Sequence, residues 1–315
     1  MVLERGYGLM NKIYDVILIG SGAANMSAAV YAARAGLEVL IIERGMSGGQ
    51  MQNTGEIENY IGINSITGSE LSDSMFNQVN SMSNVEFSFG NVIGIECNGT
   101  HKIVKIKSKE FTSKTVIIGT GVKHKKLGVD GEDIFMGRGV SNCGYCDGNF
   151  FEGQHVAVVG GGNSAVEDAL YLSDIVDKVT LIHRRGELRA EKVMQDRLFR
   201  KDNIEILWHT EVESINGNKK VEELSLINKD GHKFNLDVRG VFIYVGVEPI
   251  SEPFIDLNIT DRDGYIVTED NMSTKVSGIF AAGDIRKDSI RQIVAAVNDG
   301  AIAAISAKKL IDTFY

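Results

Sequence analysis

The sequence predicts an α/β protein containing two parallel-sheet units of the same kind, on three observations. Gly20-Ser21-Gly22 follows a short apolar run and opens an alanine-rich segment, and Gly160-Gly161-Gly162 repeats that arrangement further along. Between them stands Cys143-Gly144-Tyr145-Cys146-Asp147, two thiols two residues apart with an acid directly behind. The chain has 315 residues, 43% hydrophobic and 24% charged, which is ordinary globular composition with room for roughly two cores.

The elements follow in order. Met1 to Lys12 has no apolar core and does not read as a signal peptide; its first nine residues read as dispensable or as an upstream start. Tyr14 to Ile19 is a buried parallel strand by its apolar run. A helix then runs from the glycines through Tyr31-Ala32-Ala33-Arg34 and ends at Gly36. A second strand, Glu38 to Ile42, closes at Glu43. This is a βαβ opening with an acid at the end of its second strand, placed to bond the hydroxyl pair of a ribose. The glycines let the backbone approach a pyrophosphate held on helix amides. Asn25 stands where a third glycine normally permits close helix–strand contact, and the alternative is a βαβ that is purely structural.

Gly48-Gly49-Gln50-Met51 and Glu56 to Gly62 have neither periodicity and read as irregular, ligand-facing or solvated loops. Short β-runs (Val92 to Cys97, Ile103 to Ile106, Thr115 to Ile118) suggest an antiparallel insertion returning to the parallel sheet at Gly119-Thr120-Gly121. Lys123 to Gly139 is a charged connector, in which His124 reads as a solvated loop residue. A second βαβ follows: a strand Val156 to Val159, the second glycine loop with Asn163-Ser164-Ala165, a helix through Ala169, Leu170 and Leu172, and a strand Val179 to Ile182.

The contrast between the two strand ends is diagnostic. The first unit closes on Glu43, the second on His183-Arg184-Arg185 with Arg189 beyond. A carboxylate favours an unmodified ribose, whereas guanidinium groups answer a 2′-phosphate, so the second site reads as one for NADPH rather than NADH. The alternative is a solvated basic patch. Helical sequence continues from Glu187 to about Arg200, and strands alternate from Ile204 to Tyr244. Gly246 to Pro253 forms a return connector with both prolines. A strand, Gly278 to Ala282, precedes Gly283-Asp284, and a helix of small residues begins near Arg291.

Net charge is −9, which argues against nucleic acid or an anionic membrane as partner. No apolar run approaches the roughly 18 residues that span a bilayer. Three cysteines without an export signal point to a reducing cytoplasm, where a vicinal pair is catalytic or metal-binding. No metal is expected: zinc needs four ligands, and no second Cys/His pair is present. Cys97, alone in a strand-like run, reads as a small buried hydrophobe.

Taken together these residues resemble the low-molecular-weight bacterial thioredoxin reductases, over nearly the whole chain. The matching pieces are Gly20-Ser21-Gly22 with Tyr31 to Gly36, Gly48-Gly49-Gln50 with Glu58-Asn59-Tyr60, Cys-x-x-Cys-Asp-Gly, and Gly-Gly-Gly-Asn-Ser-Ala. They continue with His-Arg-Arg and Arg189-Ala190-Glu191-Lys192, Ala281-Ala282-Gly283-Asp284, Arg291-Gln292, and Asp299-Gly300-Ala301.

The resemblance implies two Rossmann-like domains, three-layered on parallel central sheets. A discontinuous FAD domain (1–123 and 250–315) would enclose an NADPH domain (124–249) that carries the cysteines, and the protein would be a homodimer. It implies FAD contacts from Gly20, Ser21, Gly22, Ala23, Ala24, Glu43, Gly49, Gln50, Asn59, Val92, Gly121, Gly283, Asp284, Arg291, Gln292 and Ile293. NADPH contacts would come from Gly160, Gly162, Asn163, Ser164, Ala165, His183, Arg184, Arg185 and Arg189. Electrons would pass from NADPH through FAD to Cys143–Cys146 and on to thioredoxin or a thioredoxin-like protein, with a rotation between two domain orientations. Asp147 would donate a proton to the departing thiolate; its plainer reading is a helix cap. The spacing leaves open which cysteine meets the flavin, and the resemblance leans to Cys146.

Three departures stand out. Ala23-Ala24-Asn25-Met26 replaces Pro-Ala-Gly-Leu, and Ile61 replaces proline after Glu-Asn-Tyr; both bear on FAD affinity. Gly144-Tyr145 replaces Ala-Thr between the cysteines, and bears on redox potential or substrate choice. Rival readings are reduction by ferredoxin, a peroxide-reducing partner, and a flavoprotein redox sensor without turnover. The intact second fingerprint disfavours the ferredoxin reading.

Overall fold

The computed structural model describes residues 12–315, so the reading of the first nine residues lies outside it. The chain divides into two compact units, residues 12–122 with Pro249–Tyr315, and Lys123–Glu248.

In the first unit, β1 (Ile13–Ile19), α1 (Ala23–Arg34), β2 (Val39–Glu43), α2 (Gly68–Asn80) and β3 (Val85–Phe89) lead into β4 (Val92–Asn98), β5 (His101–Ile106) and β6 (Lys109–Ile118). The second unit contains β7 (Val140–Ser141), α3 (Gly144–Asp147), β8 (His155–Gly160), α4 (Asn163–Ser173), β9 (Lys178–His183), α5 (Lys192–Leu198) and β10 (Ile204–Trp208). It continues through β11 (Thr210–Gly217), β12 (Val221–Asn228), β13 (Lys233–Asp237) and β14 (Gly240–Tyr244). The chain then re-enters the first unit for β15 (Ile279–Ala281) and α6 (Ile293–Phe314).

The order β3-β2-β1-β6-β15 is parallel throughout, with Val16 opposite Val39, Ile17 opposite Val116 and Phe280 opposite Ile117. Such strands are apolar on both faces because both faces are covered. Successive side chains divide accordingly: Val16, Leu18, Ile41, Ile117 and Phe280 meet α1 and α6, while Ile17, Ile19, Leu40, Ile42 and Ile118 meet Phe254, Ile259 and Ile266. The sheet is mixed rather than wholly parallel. β6 has ten residues; its first half pairs antiparallel with β5, and β5 pairs with β4.

The second unit has a parallel sheet ordered β7-β14-β8-β9-β10 and a separate antiparallel sheet β11-β12-β13. Val158 is opposite both Leu181 and Phe242.

Several expectations are corrected. The segment 48–62 is not irregular throughout: Gly49–Asn53 is a 3-10 helix, and Glu56–Ile57 pairs antiparallel with Ile66–Thr67. Helix α2 was not anticipated, although Thr67 and Glu70 form a capping box at its start. The helix expected over 187–200 spans only Lys192–Leu198. Buried Leu188 and Ala190 pull the preceding stretch onto the sheet, where Arg189 N donates to Gly161 O at 2.7 Å. Cys97 is exposed, not buried: it shares the face of buried Ile95 but lies next to the end of β4. His124 is half-buried with its ring edge-on to Tyr244, so it is not a solvated loop residue.

Helices α1 and α6 cross at very close range. Ser27 Oγ donates to Val297 O at 2.7 Å, and a Cβ on Gly300 would sit 1.8 Å from Ala24 O. Gly300→Ala must therefore separate the helices. It is expected to lower stability by about 1–3 kcal/mol, as overpacking does. A urea midpoint equal to that of the parent protein would refute this packing argument.

Candidate active site

The first glycine loop is built to leave amides available. Gly20 has φ +92°, and a Cβ there would meet Gly119 O at 2.7 Å, so only glycine fits. The N-cap of α1 is Gly22, with no side chain bonded to the first-turn amides. Gly49 lies opposite, where a Cβ would meet Gly22 Cα at 3.3 Å. An uncapped helix start lined by glycine backbone suits a pyrophosphate.

Ser21 is fully buried; its N–H and hydroxyl donate to Glu43 Oε2 at 2.8 and 2.7 Å. Glu43 Oε1 accepts from Arg44 N and Gly45 N at 2.7 and 2.9 Å. This carboxylate holds four donors, so a ribose hydroxyl would have to replace Ser21 Oγ or share an oxygen with it.

Asn25 does not loosen the loop. It is fully buried, and its Nδ2 donates to Ile19 O at 2.8 Å and Gly20 O at 2.9 Å. Gly119 makes the room, since a Cβ there would lie 2.6 Å from the Asn25 amide. The added bulk is thus spent tying helix to strand.

Around this centre, Gln50 Nε2 donates to Val122 O at 2.8 Å and Asn59 Nδ2 to Gln292 Oε1 at 3.1 Å. Ala23 and Ala24 are buried in the first turn of α1; Val92 points into the core, leaving only its backbone for a ligand. Gly121 ends the loop after β6 with φ +66°, and Ile293 opens α6 behind its N-cap Gln292. Asp299 Oδ2 accepts from Gly283 N at 3.1 Å and from the Arg286 guanidinium at 2.6 Å, fixing the Gly283-Asp284 turn. Burial pushes the Asp284 carboxyl above the usual carboxylate range. The Arg291 guanidinium bonds Tyr265 Oη at 2.9 Å and lies against that ring.

The second glycine loop has the same character. Helix α4 starts at Gly162 without a side-chain cap, beside exposed Ser164 and buried Ala165. Asn163 Oδ1 accepts from Glu191 N at 2.8 Å. Arg184, Arg185 and Arg189 are exposed, and no carboxylate pairs with them among the described residues. His183 differs from its neighbours. It is buried beneath Gly161, where a Cβ would strike its ring at 2.3 Å, and its Nε2 meets Glu187 O at 2.9 Å. Its ring thus braces the 183–187 turn from below, while Arg184 and Arg185 lie exposed in that turn.

Cys143 and Cys146 are joined in a disulfide across α3, with Cys143 buried and Cys146 exposed. Cys143 also caps the turn, its Sγ accepting from Cys146 N at 3.1 Å. Asp147 stands at the N-cap position of a 3-10 helix, Gly148–Phe151, but its side chain does not cap it: Oδ2 accepts from Ser141 Oγ at 2.6 Å, and Ser141 Oγ in turn accepts from Cys143 N at 3.0 Å.

Both residues between the cysteines are explained by α4. A Cβ on Gly144 would stand 2.6 Å from Asp168 Oδ2, and Tyr145 stacks on Tyr171 at 3.8 Å and 16°. Asp168 and Tyr244 were missed by sequence reasoning. They lie 24 and 100 residues from Gly144, and only the fold brings them together.

A family model described as pyridine nucleotide-disulphide oxidoreductase matches residues 14–300. The chain is 48% identical to a thioredoxin reductase of Bacillus subtilis over 303 residues, 96% of each protein. It is 47% identical to one of Listeria innocua, over 96% of this chain and 95% of the other. Among solved structures, a thioredoxin reductase of Lactococcus lactis (FR conformation) matches with a TM-score of 0.93 at 46% identity, over 96% of this chain and 100% of that one.

Proposed function

The chain belongs to the thioredoxin reductases of the pyridine nucleotide-disulphide oxidoreductase family, and from that premise we propose which of its residues perform each task. The enzyme is an NADPH-dependent flavoprotein disulfide reductase. FAD, when bound, relays the electron pair of the NADPH hydride to a disulfide.

The unit of residues 12–122 with Pro249–Tyr315 holds FAD. The amides of Gly22, Ala23 and Ala24 receive its pyrophosphate and Glu43 its ribose, while Gly49, Gln50, Asn59, Gly121 and residues 283–293 line the remainder. The fit rests on the uncapped start of α1 and the glycine surfaces facing it. The Lys123–Glu248 unit holds NADPH, with Gly160 to Ala165 at the pyrophosphate and Arg184, Arg185 and Arg189 at the 2′-phosphate.

Cys143 and Cys146, once reduced, exchange with a disulfide on thioredoxin. One thiolate attacks a partner sulfur, forming a mixed disulfide and releasing the partner's first thiol. The second cysteine then displaces the other, and the Cys143–Cys146 bond reforms. Asp147, held by Ser141, supplies a proton to the thiolate released when that bond is opened. The enzyme works as a homodimer. Tyr31, Val294 and Ile305 leave apolar side chains exposed on α1 and α6, at 47, 47 and 45%. Its compartment is the cytoplasm, where a reduced NADPH pool drives such exchange. Among the described residues, no helix is long and apolar enough to cross a membrane.

The observation that carries this reading is the Cys143–Cys146 disulfide, seated on the helix that opens behind the second glycine loop. The purified protein is expected to be yellow, to bleach anaerobically with NADPH but hardly with NADH, and to reduce a thioredoxin. A protein that stays colourless after added FAD would sink it.

A further inference from the structure

One face of α4 lies under the redox turn: Asp168 meets Gly144, Tyr171 meets Tyr145, and Leu172 abuts Gly148. The Gly144 amide, between the two cysteines, donates to Asp168 Oδ2 at 2.5 Å and to Tyr244 Oη at 3.0 Å. The Tyr244 hydroxyl closes the triangle by donating to the same carboxylate oxygen. We propose that Asp168 and Tyr244 are positioning residues that clamp the Gly144 amide and thereby hold the Cys143–Cys146 couple strongly reducing. This rests on the reading that these cysteines are the enzyme's redox pair.

The argument is electrostatic. Reduction of the bond takes two electrons, drawn from NADPH by the established reaction, and two protons, and gives two thiols. A thiolate at either sulfur is favoured by a nearby amide donor and disfavoured by a nearby anion. The clamp acts against thiolate on both counts, since it occupies the Gly144 N–H and sets a carboxylate beside the turn. Stabilised thiolate makes a couple more oxidising, so withholding that stabilisation keeps this one reducing.

The remaining groups around Asp168 do not cancel its charge. Glu167 and Tyr171 lie on its own helix, Asp147 acts on Tyr244 from α3, and the His124 ring packs on Tyr244. Burial raises the Asp168 carboxyl, and its bonds to Tyr244 and Gly144, which favour the charged form, offset that only in part. Burial also pushes the Tyr244 phenol well above its ordinary range, so the phenol stays a donor. The space for this clamp exists only because residue 144 has no side chain.

The test equilibrates the FAD-loaded enzyme with glutathione redox buffers under anaerobic conditions and quantifies Cys143 and Cys146 by alkylation. The rate of iodoacetamide labelling against pH gives the thiol pKa. Asp168→Asn keeps the shape, and its side-chain oxygen can still accept the Gly144 N–H, so the variant removes charge alone. It is expected to shift the equilibrium about tenfold toward the dithiol, ~30 mV, and to lower the reactive thiol pKa. Gly144→Ala, which displaces the carboxylate, is expected to shift it in the same direction. The double variant should move no further than Asp168→Asn alone, because both act through one contact.

An equilibrium for Asp168→Asn within twofold of the parent, or a shift toward the disulfide, overturns the proposal. Should that variant not fold, Gly144→Ala decides by the same criterion. Turnover that survived Cys143→Ser would instead overturn the redox role of the cysteines, which is a separate result.

Discussion

Cys143→Ser is expected to abolish thioredoxin reduction while NADPH still bleaches the flavin. The substitution removes the only chemistry a disulfide relay has: serine cannot form the bond that is opened and reformed in each cycle. A fall of about a thousandfold or more in turnover is expected, since loss of a covalent participant is not compensated by neighbours. The fold should survive the change. Cys143 is the N-cap of α3, with its Sγ accepting from Cys146 N, and serine is among the preferred residues at such a position. Stopped-flow reduction by NADPH and steady-state thioredoxin reduction separate the two half-reactions. Retained thioredoxin turnover, or a flavin that NADPH no longer reduces, would each contradict the relay.

Much of this architecture was legible in the chain because parallel strands buried on both faces write themselves as unbroken apolar runs. Tyr14 to Ile19, Glu38 to Ile42 and Val156 to Val159 were read to within a residue or two of their ends. Amphipathic and short elements were harder. Helix α2 carries its capping box in plain view, yet its core-facing residues are few (Leu71 and Val79 are buried), and the preceding loop gave no start signal beyond it. Cys97 reads as buried because it shares the face of Ile95, but alternation does not tell where burial stops, and residues 96–98 at the end of β4 are all exposed.

The site divides along a similar line. Residues that bind through backbone, such as Gly20 and Gly22, announce themselves by composition, as does an acid at a strand end such as Glu43. Residues that act by supporting others do not. Asn25 looked like a defect in a fingerprint, and proves to hold β1 and α1 together through two backbone carbonyls. His183 stands beside two arginines in sequence, but it is the last residue of β9, a strand buried on both faces, while they lie beyond the strand end. The substitution of Gly144-Tyr145 between the cysteines had no meaning until α4 supplied Asp168 and Tyr171 beneath it. Its explanation lies within the chain, in the helix that carries the redox turn, before any difference in partner needs to be invoked.

Replacing Arg184 and Arg185 together by alanine is expected to erase most of the preference for NADPH over NADH. Both side chains are exposed just past β9, in the turn that His183 shapes from below through Glu187 O, and neither is engaged with a carboxylate among the described residues. They are therefore available to a phosphate, and a guanidinium keeps its charge at every working pH. Hydrogen bonds to charged groups contribute about 1.5–3 kcal/mol each, so losing one from each arginine should cost kcat/KM for NADPH about a hundredfold or more. NADH has no 2′-phosphate to lose, and its kcat/KM should change by less than about threefold by the same accounting. Arg189 remains, and its backbone is tied to Gly161 O, so a residual preference should persist until it too is changed. The comparison of the two coenzymes is what makes the experiment decisive. A general distortion of the site would depress both in parallel, and that result, like an unchanged preference, would refute the assignment of the 2′-phosphate to these arginines.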